Sequence, residues 1–119
     1  MLPAPLRMRR SEDFAQTIRR GTRAGRDTLV VHCRRVEGSA ERRVGLVVAK
    51  TVGNAVVRNR VRRRLRAVVV EQVDVVPPGT DLVLRALPPA QQASYGLLRD
   101  EYVSAMSSAV RRASSRARA

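Results

Sequence analysis

Apolar positions along this chain repeat with two periods, and each change of period marks an element. TLVVHCRRV (28–36) is β-branched and apolar and predicts a strand. In it Leu29, Val31 and Cys33 share one face, and Val30 and His32 the other. RVGLVVAK (43–50) predicts a second strand. Both faces of 44–49 are apolar or small, which points to a central position in a sheet. The polar EGSAE (37–41) joins the two, and Gly38 within it favours a hairpin. TDLVLRAL (80–87) predicts a third strand, after PPG at 77–79 ends the segment before it.

Elsewhere the period is helical. At 100° per residue, Val57, Val61, Leu65 and Val68 fall in one narrow stripe, giving a helix over about 55–73 capped by Asn54. Tyr95, Leu98, Tyr102, Met106 and Ala109 repeat likewise after the linker PPAQQ (88–92) and a capping Ser94. A shorter helix is expected over about 12–20. Ser11 is its N-cap, Glu12 and Asp13 lie in its first turn, Arg19 and Arg20 in its last, and Gly21 is its left-handed C′ residue. Phe14 and Ile18 stand one turn apart on it. Residues 1–10, with two prolines and three arginines, read as a loose basic arm, and about 113–119 as a frayed basic tail. The order helix, strand, strand, helix, strand, helix gives an α/β (α+β two-layer) fold with a small central sheet, one domain over 1–119.

Charge changes the picture most. The chain of 119 residues has 24 basic and 10 acidic side chains, a net charge of +14. Such an excess repels itself in the compact state, so a polyanionic partner is its natural explanation. Nucleic acid and anionic membrane are the two candidates. Lys50 is the only lysine. Arginine suits phosphate because its planar fork donates two parallel hydrogen bonds, although biased codon usage produces the same excess. Cys33 is the single cysteine, which excludes an internal disulfide and fits a reducing cytoplasm. The first ten residues lack the apolar run of a signal peptide, and no stretch reaches the roughly 20 apolar residues of a membrane helix.

Few residues suit acid–base or nucleophilic chemistry. His32 is the only histidine, so two imidazoles cannot share proton transfer. Cys33 follows it in a strand and points to the opposite face, which excludes a nucleophile–base pair. Glu12 and Asp13 are accounted for by the helix dipole, and Asp100 and Glu101 by solvation or ion pairing on a helix. No H-E-x-x-H, P-loop or G-x-G-x-x-G is present. The expectation is no catalytic and no metal-ligating residue in this chain, with any chemistry supplied by a partner.

The basic charge concentrates in GNAVVRNRVRRRLR (53–66), where six arginines lie within 58–66 and no acid stands among them. Arg62, Arg63 and Arg66 point away from the apolar stripe with Asn59 among them. Arg60 and Arg64 line one flank, and Arg58 lies near the stripe's edge. A merely solvated helix would bear repulsion between like charges at i,i+4 without compensation. A membrane-surface helix would need its apolar face free and carries no aromatic residue here. A fixed basic face suits a phosphate backbone.

From Lys50 to Arg66 the pattern K-x-V-G-N-A-V-x-R-N-R-V-x-R-x-x-R resembles the signature of the bacterial ribonuclease P protein subunit, with Arg58-Asn59-Arg60 as its arginine-asparagine-arginine core. R-x-R-R-S-E-D-F (7–14), R-V-G-L-V-V-A-K (43–50) and LVLRALP (82–88) resemble its flanking segments, so the likeness spans roughly 7–112. The resemblance implies a complex with a catalytic RNA that removes the 5′ leader of precursor tRNA. In it the RNA holds the Mg²⁺ ions and performs the hydrolysis, and the protein alone is inactive. It implies that Lys50, Asn54, Arg58, Asn59, Arg60, Arg63, Arg64 and Arg66 face RNA. It also implies that Phe14, Ile18, Val30 and His32 line a cleft for the single-stranded leader. That cleft is often aromatic in the family; here Phe14 is its one aromatic, with His32 as a stacking partner. A left-handed β-α-β crossover, against the usual right-handed rule, is implied as well. The expected protein is monomeric outside the ribonucleoprotein, cytoplasmic and away from membranes. The alternative is a ribosomal or ribosome-assembly protein that binds RNA without a cleavage role.

Overall fold

The apolar periods condense into a sheet with helices on both faces. The structure, a computed structural model, describes residues 2–118. Its elements are α1 (Ser11–Arg20), β1 (Thr22–Gly25), β2 (Leu29–Arg35), β3 (Arg42–Val47), α2 (Ala55–Glu71), β4 (Thr80–Ala86) and α3 (Tyr95–Arg118). No helix among the described residues is long and apolar enough to cross a membrane.

The sheet runs β1-β2-β4-β3. β2 is antiparallel to both β1 and β4, and β3 is parallel to β4. One face carries Leu29, Val31, Cys33, Val44, Leu82 and Leu84. These pack against Val61, Leu65, Val68 and Val69 of α2 and Leu98, Tyr102, Met106 and Ala109 of α3. The four buried α2 side chains each contribute on the order of 1.5–3 kcal/mol gross. Repulsion between exposed like charges is worth only a few tenths of a kcal/mol per pair. Burial therefore wins, and the arginine-rich segment folds as a helix with its stripe in the core.

Several expectations change. A fourth strand, β1, precedes the three read from the sequence. At four residues, with Thr22 and Ala24 buried and Arg23 and Gly25 exposed, it is too short and polar to stand out. β2 and β3 do not form a hairpin, because β4 lies between them. The 36–41 connection instead crosses the start of β4. The Val36 N–H donates to Gly79 O (2.7 Å) and the Gly79 N–H to Glu41 O (2.9 Å). Gly79 sits at φ 75°, where a Cβ would also meet Ser39 O at 2.5 Å, so only glycine fits there. β3 is consequently a lateral strand, not a central one. Its two apolar faces are both covered all the same: Val44 faces the core and Gly45 lies under Phe14 of α1. Because α1 rests on the sheet face away from α2 and α3, the two-layer arrangement gains a partial third layer.

The chain's beginning is not a loose arm. Leu2, Leu6 and Met8 are buried, and the Met8 N–H donates to Val44 O (3.0 Å) along the outer edge of β3. Its apolar residues alternate with the prolines and arginines and supply the anchor. At the other end α3 stays helical through Arg118 with Ala113 buried, so the described part of the expected tail is ordered; Ala119 lies outside the described residues. Arg10, not Ser11, occupies the N-cap of α1. Gly21 is extended (φ −75°, ψ 168°) and not left-handed. Its lack of a side chain admits a close approach, since a Cβ would sit 2.3 Å from Thr17 O.

Candidate nucleic-acid interface

The face of α2 away from the core is built from its cap onward. Asn54 Oδ1 accepts the Val57 N–H at 2.9 Å, which fixes the first turn as expected. Lys50 is exposed in the short turn Lys50–Val52 just before it. Asn59 is exposed, and its Oδ1 accepts from Arg62 Nη1 (3.0 Å). On the flank, Arg60 Nη2 donates to Gln91 O (3.1 Å) and Arg64 Nη1 to Ala93 O (2.9 Å). These carbonyls hold the two guanidinium groups in place without cancelling their charge. Arg58 is half-buried with its Nε enclosed and unpartnered. The side chains of Lys50, Arg63 and Arg66 make no hydrogen bond or ion pair to protein among the described residues. The first acid along α2 is Glu71, in its last turn, where it accepts from Tyr95 Oη (2.6 Å). That bond, with burial a lesser cause, raises the Tyr95 pKa. The eight expected residues thus gather on one helix and its lead-in, six of them held by the fold of a single element.

Two concavities meet on this face. A groove of about 650 Å³ is lined by Val56, Asn59, Arg62, Arg63 and Arg66. A pocket of about 250 Å³ lies between α2, β3 and α1, and Arg7, Phe14, Gly45, Arg62 and Arg66 are in its wall. Arg62 and Arg7 are not marked by the motif. Arg62 was visible on the helical wheel as an outward residue, whereas Arg7 depends on the ordered start of the chain.

The expected leader cleft is only partly open. Gly45, Val83, His32 and Arg23 form one row across the sheet, on the face that carries α1. The Phe14 ring occupies the space above Gly45, where a Cβ would come within 2.3 Å of it. Phe14 is half-buried and Ile18 is 37% exposed, so both are accessible. Val30 and His32 lie beneath, at 4% and 3% exposure. Neither ring nitrogen of His32 has a hydrogen-bond partner. Burial, then the charges of Arg85 and Arg23, holds the imidazole below its ordinary pKa and therefore neutral. Cys33, on the core face, is pushed up to about 12 by burial and is an inert thiol.

A group that the sequence did not single out ties α1 to the sheet. Asp81 is buried in β4 and accepts from Arg43 Nε (3.0 Å), Arg43 Nη2 (2.9 Å) and Arg34 Nη2 (3.0 Å). Arg43 Nη1 also donates to Asp13 of α1 (3.0 Å). The hydrogen bond to Asp81 raises the Arg43 pKa. These two carboxylates are occupied by arginine, and no group of three or more His, Cys, Asp or Glu among the described residues could hold a metal ion. Asp13 and Asp81, already engaged by arginine, do not offer the free carboxylate oxygens that Mg²⁺ takes.

The family described as Ribonuclease P matches residues 2–110. The ribonuclease P protein component of Kocuria rhizophila is 53% identical over 112 residues, covering 94% of this chain and 98% of that protein. That of Beutenbergia cavernae is 55% identical over 94 residues, 79% of each. In fold, the chain is similar to the Staphylococcus aureus RNase P protein, with a TM-score of 0.75 over 85% of this chain and 92% of that one at 22% identity. It is likewise similar to the Thermotoga maritima RNase P protein, with a TM-score of 0.74 over 84% and 94% at 23% identity.

Proposed function

This chain belongs to the ribonuclease P protein family, and from that premise we propose that it serves as the protein subunit of ribonuclease P. In this role it binds a catalytic RNA and the 5′ leader of precursor tRNA and aids removal of the leader in the cytoplasm. The observation that carries the reading is the α2 face, where Arg60 and Arg64 are fixed by backbone carbonyls and none of the six arginines has a carboxylate partner among the described residues, so that the charge is left for a polyanion.

Residues on this face divide the work. Arg63, Arg66 and Lys50 contact phosphates of the catalytic RNA. Arg60 and Arg64, anchored through one nitrogen each, keep further N–H groups for the same purpose. Asn54 closes the helix N-terminus, whose free N–H groups add to the positive field. Asn59 brings an amide that both donates and accepts among the cations. Phe14 offers a stacking surface to a leader base beside the pocket of Arg7, Arg62 and Arg66, over a floor of Val30 and His32. Screening of phosphate charge by these arginines brings the two RNAs together at lower Mg²⁺. Mg²⁺ supplies the activation of water for phosphodiester hydrolysis when bound to the RNA. No protein side chain takes part in that step.

The test is reconstitution with the cognate catalytic RNA. Leader removal at low Mg²⁺ is expected to depend on the protein, and RNA-free protein is expected to leave precursor tRNA intact. Cleavage by RNA-free protein, or no dependence on protein at low Mg²⁺, would overturn the reading.

A further inference from the structure

A second cluster of arginines lies at the opposite edge of the sheet. Arg20, Arg34, Arg35 and Arg116 line a pocket of about 210 Å³ with Gly21, Thr22, Cys33 and Ala113, and no acid is in its wall. It stands where the last turn of α1, the start of β1, the end of β2 and the late turns of α3 converge.

Its arginines repeat the construction seen on α2. Arg116 Nη1 donates to Arg20 O (2.9 Å), and outside the pocket wall Arg112 Nη1 donates to Arg23 O (2.6 Å). Arg35 reaches Ser114 Oγ (3.1 Å) and Pro78 O (3.2 Å). All these acceptors are neutral. Of the pocket's arginines only Arg34 has a carboxylate partner among the described residues, in Asp81 and Asp13. Arg35 and Arg116 are therefore held in place, Arg20 lines the pocket beside them with no side-chain partner among the described residues, and all three are uncompensated. Packing like charges in this way costs stability unless an anion joins them. A guanidinium that spends one or two N–H groups on a carbonyl keeps others for a ligand, because it has five.

α1 links this pocket to the first. Phe14 stands in the wall of one and Arg20 in the wall of the other. Six residues of helical rise and the three strand intervals from β3 to β1 put them on the order of 10–15 Å apart. That separation is too wide for one phosphate group to touch both.

We propose that the pocket of Arg20, Arg35 and Arg116 is a second phosphate site, which binds a phosphodiester of an RNA strand at the β1 edge while α2 binds RNA at the other. The inference rests on the ribonuclease P reading. It adds to that reading a contact outside the motif helix and outside the cleft above Gly45. The phosphate belongs either to the catalytic RNA or to the precursor leader, and the experiment separates the two.

The full-length double variant Arg20→Gln/Arg116→Gln is compared with the wild type in salt titrations, once with catalytic RNA alone and once with precursor tRNA in the holoenzyme. Loss of two single-strand contacts lowers the slope of log K against log salt by about 1.4, so the affinity gap to wild type narrows roughly seven-fold between 50 and 200 mM salt. A change with catalytic RNA alone assigns the phosphate to that RNA. A change confined to precursor tRNA assigns it to the leader. The pair Arg20→Lys/Arg116→Lys is expected to keep most of the slope. Unchanged slopes in both arms, or equal losses for the Lys and Gln pairs, would overturn the proposal. Arg63→Gln/Arg66→Gln, measured in parallel, tests the α2 contact itself. If that pair alone flattens the slope, the second site fails while the ribonuclease P reading stands.

Discussion

Gly45→Ala offers the sharpest test of how the fold sets the cleft. A Cβ at this position would sit 2.3 Å from Phe14 Cε1 and 2.4 Å from Cζ. Ordinary contact between such atoms begins near 3.4 Å, so the ring must retreat by more than 1 Å. A half-buried ring on a helix has two ways to do this: it swings toward solvent, or α1 lifts from the sheet. Overpacking of this kind costs about 1–3 kcal/mol. For a domain of this size that is a fall in Tm of roughly 4–12 °C. The clash belongs to one pair of residues, so Phe14→Ala/Gly45→Ala is expected to be more stable than the sum of the single changes by about 1–2 kcal/mol. Thermal and urea melts of the wild type, both single variants and the double variant measure this coupling. In the holoenzyme, Gly45→Ala is expected to weaken precursor tRNA more than mature tRNA, as Phe14→Ala would. Additive stabilities together with an unchanged melt for Gly45→Ala would refute the idea that Gly45 seats the ring. Equal weakening of precursor and mature tRNA would refute the ring's role with the leader.

Three further outcomes are expected. Asp81→Ala strands Arg34 and Arg43 without their main acceptor and should cost about 3 kcal/mol in urea unfolding, the low end for a broken buried pair because both arginines are partly exposed; a loss below 1 kcal/mol would show that the network is dispensable. Asn54→Ala removes the cap of α2 and should cost about 1 kcal/mol, with reduced helicity at the Lys50–Arg66 segment as the check. His32 is neutral in the fold and readily protonated in the unfolded chain, so the unfolded state binds more protons below the ordinary pKa of 6.5. Stability should therefore drop as pH falls from 6.5 toward the lowered folded value and level off below it; His32→Leu should abolish that component, and an unchanged pH profile would refute the assignment.

The α2 face was legible in the sequence because two independent signals coincide there. The stripe of Val57, Val61, Leu65 and Val68 sets the helix orientation, and the uninterrupted arginines mark what lies opposite. Its cap was legible for the same reason, since Asn54 acts locally. The sheet order was not. Both 28–36 and 43–50 look like neighbours in a hairpin, and nothing local states that 80–86 will enter between them. That decision is made by long-range packing and by the stitching of 36–41 to Gly79. The Asp13–Arg34–Arg43–Asp81 network was illegible likewise, because its members are scattered over three strands and a helix. In the cleft, the shared face of Val30 and His32 followed from strand alternation, but their depth did not, since burial depends on what α1 covers.

The insertion of β4 between β2 and β3 also governs the order in which the chain can fold. Leu29 pairs with Ala86, and Arg42 pairs with Thr80. Until Thr80–Ala86 leaves the ribosome, β2 has only β1, and β3 has only the single bridge between Arg7 and Val44. Closing loops of this length carries an entropy cost before any pairing repays it, which slows folding relative to hairpin-built sheets. α2 emerges during that interval with its valine stripe uncovered and its arginines already charged. A nascent chain in this state is an adhesive polycation, and the last third of the sequence is what turns it into a binder with a fixed shape.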